Sequence, residues 1–191
     1  LALLFHIAWN NRRDPLAGWF AAVLAALLVW ATGYVLEILT VSQAGKILFA
    51  NMQFVGIAPL SLCWWEMTRR YLGIRPLPKA VTALLWAIAV LTVLMAFVNP
   101  WHIFRGQPHI ETSTAPFPVL HADYGPWYRL VFLPANFLLN LMVLAFLLKG
   151  IVQAHPIYRR QYVLLFLAGL IPLACAAIYV LALPPWRDYN L

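Results

Sequence analysis

Apolar blocks of about 20 residues, the length that crosses the roughly 30 Å of bilayer hydrocarbon, run through almost the whole chain. They lie at Leu16–Leu39, Ile47–Thr68, Ala80–Val98, Leu130–Leu148 and Tyr162–Leu183. In lipid every backbone N–H and C=O needs a partner inside the protein, and an unbroken apolar run supplies one only as a helix. The expected fold is therefore all-α, a polytopic transmembrane helix bundle. A shorter run, Leu1–Trp9, precedes these spans, and its positive residues, Arg12 and Arg13, come after it. A secretory signal carries its positive charges before the apolar stretch. Leu1–Trp9 thus reads as the inner end of a partial first span, giving five full spans and a fragment of another.

Composition removes the soluble alternatives. Hydrophobic residues make up 64% of the chain and charged residues 10%, against about 25% charged in soluble domains. One core could not hide so much apolar surface. The formal charge of +7 sits in short loops between apolar blocks. That distribution argues for the positive-inside rule and against a nucleic-acid partner. One set of alternate loops holds Arg12, Arg13, Arg69, Arg70, Arg75, Lys79, Lys149, Arg159 and Arg160; the opposite set holds Lys46, Arg105, Arg129 and Arg187. Nine against four makes the first set cytoplasmic. The long connection Asn99–Arg129 is then outside, as is Pro184–Asn190. It is rich in Pro, His and aromatic residues, among them Trp101, His102, His109, Glu111, Pro116, Pro118, His121, Asp123, Tyr124, Trp127 and Tyr128. It reads equally as a functional loop or an interfacial aromatic belt.

Polar residues within the spans are few. Trp30, Tyr34 and Glu37 share a helical face, with Gly33 beside Tyr34. Glu37 lies at the outer end of its span and Lys46 opens the next one at matching depth, after the turn Thr40–Gly45. Gln53 lies two turns deeper than Lys46 on the same face. A Glu and a Lys so placed can neutralise each other, as a structural ion pair or as the wall of a ligand pocket. Asn136 and Asn140 read as interhelical hydrogen-bond glue. Gly18, Ala22 and Ala26 form a ridge of small residues for close packing. Pro59, Pro134 and Pro172 predict kinks within spans. Glu66 pairs locally with Arg69 and Arg70. Cys63 and Cys175, without C-x-x-C spacing, read as packed residues.

No cofactor is expected. Haem needs histidines deep in helices, whereas His6, His102, His109, His121 and His155 lie near span ends or in loops. Lys46, Lys79 and Lys149 are terminal, which does not suit a retinal Schiff base. No compact metal motif appears among the outer His, Glu and Asp residues. No nucleophile–base pattern is present either, so the chain is not expected to be an enzyme.

Several stretches, taken in order, carry a family likeness. They are Trp30–Glu37, Lys46–Phe49, Gln53–Ile57 with Pro59, Tyr71–Gly73, Asn99–His102, Tyr124–Tyr128, Arg159–Gln161 and the helix from Gly169 to Pro172. In this series the chain resembles the seven-helix membrane region at the N-terminus of bacterial histidine kinases. The resemblance implies an extracellular N-terminus, seven helices in the intact domain, and a cytoplasmic effector such as a histidine kinase or diguanylate cyclase. Residues 1–191 would then be a single transmembrane sensor domain, a fragment without its last helix and effector. It would sit in the bacterial inner membrane and dimerise through the full-length receptor. Its signal would be a small-molecule or lipid-like ligand, or a membrane state, read from outside.

The expected ligand site comprises Trp30, Tyr34, Glu37, Lys46 and Gln53, capped by Asn99, His102, Tyr124 and Trp127. Glu37→Gln should weaken a cationic ligand and Lys46→Met a carboxylate. The rival reading is a small-molecule transporter or channel component that uses the same polar residues as a permeation path. Sparse polarity in the inner halves of the helices argues against it.

Overall fold

A computed structural model describes residues 1–111, 119–121, 123–153 and 155–180. Its helices are α1 (Ala2–Asn10), α2 (Pro15–Leu39), α3 (Gln43–Tyr71), α4 (Lys79–Val98), α5 (Leu133–Gln153) and α6 (Pro156–Val180). Among the described residues, α2, α3, α4, the helix Tyr128–Gln153 and Pro156–Ile178 of α6 are long and apolar enough to cross a membrane. These are the five expected spans. The proposed end of the last one, 181–183, lies outside the described residues, as do Pro116, Pro118 and Pro184–Asn190.

Boundaries differ from expectation where side chains serve helix ends. Asp14 caps α2, its carboxylate accepting from Leu16 N–H at 2.9 Å, with Pro15 in the first turn. Ser42 accepts from Gly45 N–H at 3.2 Å and starts α3 at Gln43, so the turn between spans shrinks to Thr40–Ser42. Pro156 opens α6 well before Tyr162, since its fixed φ and missing N–H suit the first helical position. At the far end of α3, the carboxylate of buried Glu66 accepts from Arg69 Nε at 2.8 Å and also from Arg70. Arg70 lies 5.0 Å from the ring of Trp19.

The chain forms two compact units, Leu1–Asn136 and Phe137–Leu191. In the first, α2 packs against both α1 and α3, and α3 against α4. Ala8, Ala21 and Leu24 form a small buried cluster with Phe5 at the α1–α2 contact. The α2–α3 seam is nearly backbone on backbone. A Cβ added at Gly56 would stand 2.3 Å from Ala26 O, and one at Gly33 would stand 2.9 Å from Gln53 Cγ. Ala26, from the ridge of small residues, thus meets α3. The second unit holds the remainder of α5 and α6. Cys63 is buried, but Cys175 is exposed on α6, contrary to the packing expected of it. A thiol is apolar enough to face lipid without a partner.

The connection from α4 to α5 is built rather than loose. Pro100–His102 makes a 3-10 turn, and His109–Glu111 pairs antiparallel with Val119–His121 as the strands β1 and β2. This pairing is the strand structure among the described residues, and it joins backbone groups that a bare loop would leave open. A further rung joins Arg105 to Tyr124, with Gly106 N–H on Asp123 O and Gly125 N–H on Phe104 O, both at 2.8 Å. The chain then enters a π-turn at Tyr128–Phe132, where Leu133 N–H reaches Tyr128 O. Pro134 explains the widened turn, because it has no N–H for the carbonyl of Leu130. The π-turn packs against α4 and β2 against α3.

Candidate ligand site at the hairpin end

Where α2 ends and α3 begins, three of the expected site residues meet. Lys46 is only 1% exposed, and its Nζ donates to the main-chain carbonyl of Glu37 at 2.9 Å. That carbonyl lies in the last turn of α2, where helix oxygens lack intrahelical donors and the dipole favours a cation. The Glu37 side chain has a different partner. Its Oε2 accepts from Gln53 Nε2 at 2.5 Å, across the seam that Gly33 and Gly56 keep narrow. Lys46 and Glu37 are therefore joined through the backbone, and the carboxylate is held by the amide of Gln53.

Tyr34, one position past Gly33, is 43% exposed. Trp30 is half-buried, with its backbone N–H against Gly56. The expected face of Trp30, Tyr34 and Glu37 is thus split by the seam itself, which runs along Ala26, Gly33 and Glu37.

The cap residues divide too. Asn99 ends α4 with a left-handed backbone, φ 42°, a conformation that Asn tolerates better than most residues. Its Oδ1 accepts from the backbone N–H groups of Phe104 and Arg105, each at 3.1 Å, and its Nδ2 donates to Arg105 O at 2.9 Å. Asn99 therefore folds the 103–106 segment back over the bundle. Trp127 donates from its indole to Thr92 Oγ1 on α4 at 3.0 Å, and Thr92 has no exposed surface. Tyr124 stacks on Tyr128 with ring centroids 3.9 Å apart. His102 is exposed and, like its neighbour Trp101, has positive φ.

Residues that the sequence did not single out complete the site. Arg105 is 5% exposed, and its guanidinium donates to Oδ1 of buried Asn51 on α3. Burial pushes that guanidinium below its ordinary pKa, opposed by Tyr124 and Glu37. Phe54, next along α3, meets Phe104 edge-on at 4.8 Å and sits against Tyr124, Tyr128 and Phe132. Gln43 ties the start of α3 to the loop by donating to Pro108 O at 2.7 Å. Arg105 was legible only as a loop cation. The adjacent Phe104, which shares its burial, was the available hint that this stretch turns inward.

The assembled layer has one acid, two buried cations and three buried or half-buried amides above an aromatic cluster. Glu37 interacts electrostatically with both Lys46 and Arg105. Such a layer offers hydrogen-bond donors, acceptors and charges of both signs beside the α2–α3 seam. The whole chain, residues 1–191, matches the family model described as the N-terminal 7TM region of histidine kinase. No curated protein and no solved structure matches it. A helical bundle of apolar spans, matched along its full length, makes this chain a member of the family of non-catalytic N-terminal 7TM membrane regions of histidine kinases.

Proposed function

We propose that the chain is the signal-reading part of a bacterial inner-membrane receptor, with the hairpin end facing outward and a small-molecule or lipid-like signal bound there. The observation that carries this reading is the position of the buried polar layer. Glu37 and Gln53 bridge the α2–α3 seam, while Asn51 and Arg105 tie the same α3 to the α4–α5 connection. A ligand inserted between these groups acts on helix packing directly. It shifts a two-state equilibrium only by its differential affinity, with about 1.4 kcal/mol needed for a tenfold change in population. The excess of Lys and Arg in the opposite loops supports the orientation. A homodimer of the full-length receptor would carry the change to a cytoplasmic effector.

The test is Gln53→Leu in the intact receptor, read as the dose–response of its cytoplasmic output. A shifted midpoint or a locked output at normal membrane abundance supports the reading. An unchanged curve, with the protein folded, refutes it. Solute flux through liposomes containing the purified chain would instead favour a transporter.

A further inference from the structure

The two ends of the first unit, Leu1–Asn136, differ sharply in charge. The hairpin end carries Lys46, Arg105 and Arg129 with Glu37, Glu111 and Asp123, so three cations and three acids leave no net charge. The opposite end carries six cations, Arg12, Arg13, Arg69, Arg70, Arg75 and Lys79, with two acids, Asp14 and Glu66, and is left with four positive charges. That is the whole excess of the unit. Both acids are engaged: Asp14 caps α2, and buried Glu66 pairs with Arg69 and Arg70. Arg12, Arg13, Arg75 and Lys79 are exposed, so their field reaches the surrounding medium.

Two indoles fix the depth of this charge. Arg12 lies over the ring of Trp9 at 4.7 Å, steadied by Nη1 donating to Trp9 O at 3.0 Å. Across the turn, Arg70 lies over Trp19 at 5.0 Å. Gly18, beside Trp19, packs against the Arg12 carbonyl, which an added Cβ would meet at 3.3 Å. Tryptophan settles at headgroup level, with its apolar body toward the acyl chains. A guanidinium seated on a ring face keeps its N–H groups in its own plane, where a phosphate takes two of them. Deeper along α1, Leu3, Leu4 and Ile7 share one side of the helix and are 50–72% exposed. Among the described residues, Arg75 and Lys79 have no ring beneath them.

We infer that the turn between α1 and α2 binds an acidic phospholipid, its phosphate held by Arg12 and Arg13 beside Trp9 and its acyl chains lying along Leu3, Leu4 and Ile7. Charge selects the lipid class. A zwitterionic headgroup brings a cation of its own, which the local excess repels, whereas phosphatidylglycerol brings none. A soluble phosphate lacks the chains that would cover the exposed side of α1. This site lies at the other end of α2 from Glu37 and is independent of the signal-reading site proposed above.

The test is native mass spectrometry of the full chain in detergent micelles, titrated with phosphatidylglycerol and, separately, with phosphatidylcholine. The first phosphatidylglycerol should bind at least tenfold more tightly than the first phosphatidylcholine. Arg12→Gln with Arg13→Gln should weaken it about 25-fold, about fivefold for each cation at a membrane surface. Arg75→Gln with Lys79→Gln removes the same charge from the same end and should weaken it less than fivefold. Trp9→Leu keeps every charge and stands in for the arginine variant should that one misfold. It should weaken binding about two- to fivefold.

Equal affinity for the two lipids, or an affinity unchanged in the Arg12 and Arg13 variant or in Trp9→Leu, would overturn the inference. So would an equal loss in the Arg75 and Lys79 variant, which would show a diffuse field in place of a site.

Discussion

Replacing Gly56 with alanine tests whether the α2–α3 seam governs both stability and the site. The new Cβ would stand 2.3 Å from Ala26 O and 2.8 Å from Trp30 N, both backbone atoms that cannot swing aside. Ordinary contact begins near 3.4 Å, so the helices must part by 3.4 − 2.3 = 1.1 Å along that line. A gap of about 1 Å forfeits up to half of each contact's roughly 0.1–0.2 kcal/mol of dispersion energy. Over roughly 30 atom pairs along the seam the loss is about 1.5–3 kcal/mol, in line with the usual cost of overpacking. Alanine returns up to about 1 kcal/mol through its better helix propensity.

The net expectation is a loss of about 1–2 kcal/mol, measured by reversible unfolding in mixed micelles. Gly33→Ala should behave differently, because its Cβ would meet the flexible Cγ of Gln53 at 2.9 Å. Gln53 can turn away, giving up Glu37. That variant should lose less stability but alter signalling as Gln53→Leu does. A Gly56→Ala protein as stable as the wild type would refute the reasoning, for it would mean that the helices are not in close contact there.

Two other predictions concern the connection that covers the site. Asn99→Ala removes three hydrogen bonds and puts alanine at φ 42°, for a loss of about 2–4 kcal/mol in thermal unfolding. Asn99→Gly should recover about 1 kcal/mol of that, since only the backbone strain is relieved. For the bond between Trp127 and Thr92, a double-mutant cycle of Trp127→Phe and Thr92→Val should give a coupling of about 0.6–2 kcal/mol. Zero coupling would show that the indole is held by shape alone.

The helices were legible because lipid imposes one demand along their whole length, and apolar runs from Leu16 to Leu39 or Ala80 to Val98 can meet it in only one way. Ends were less legible, since they depend on single side chains such as Ser42 and Pro156. Within the site, Glu37, Lys46 and Gln53 could be paired by depth and helical phase. Their partners could not be assigned, because a one-residue rotation decides whether Lys46 meets a carboxylate or a carbonyl. Arg105 and Asn51 were out of reach for a different reason. They are 54 positions apart, and only the turn made by Asn99 brings them together. Tyr34 shows the converse, sharing a helical face with Glu37 in sequence yet left outside by the seam at Gly33.

The short connection at Thr40–Ser42 also bears on how such a bundle is made. With so little chain between them, α2 and α3 can meet as soon as both have been synthesised, and loop closure costs little. Glu37, Lys46 and Gln53 could then satisfy one another within a helical hairpin before either helix is surrounded by lipid. Delivered in pairs, groups that would oppose membrane entry one at a time become passengers of the apolar segments beside them. Lengthening this connection with glycine and serine should therefore slow membrane integration before it harms the finished fold.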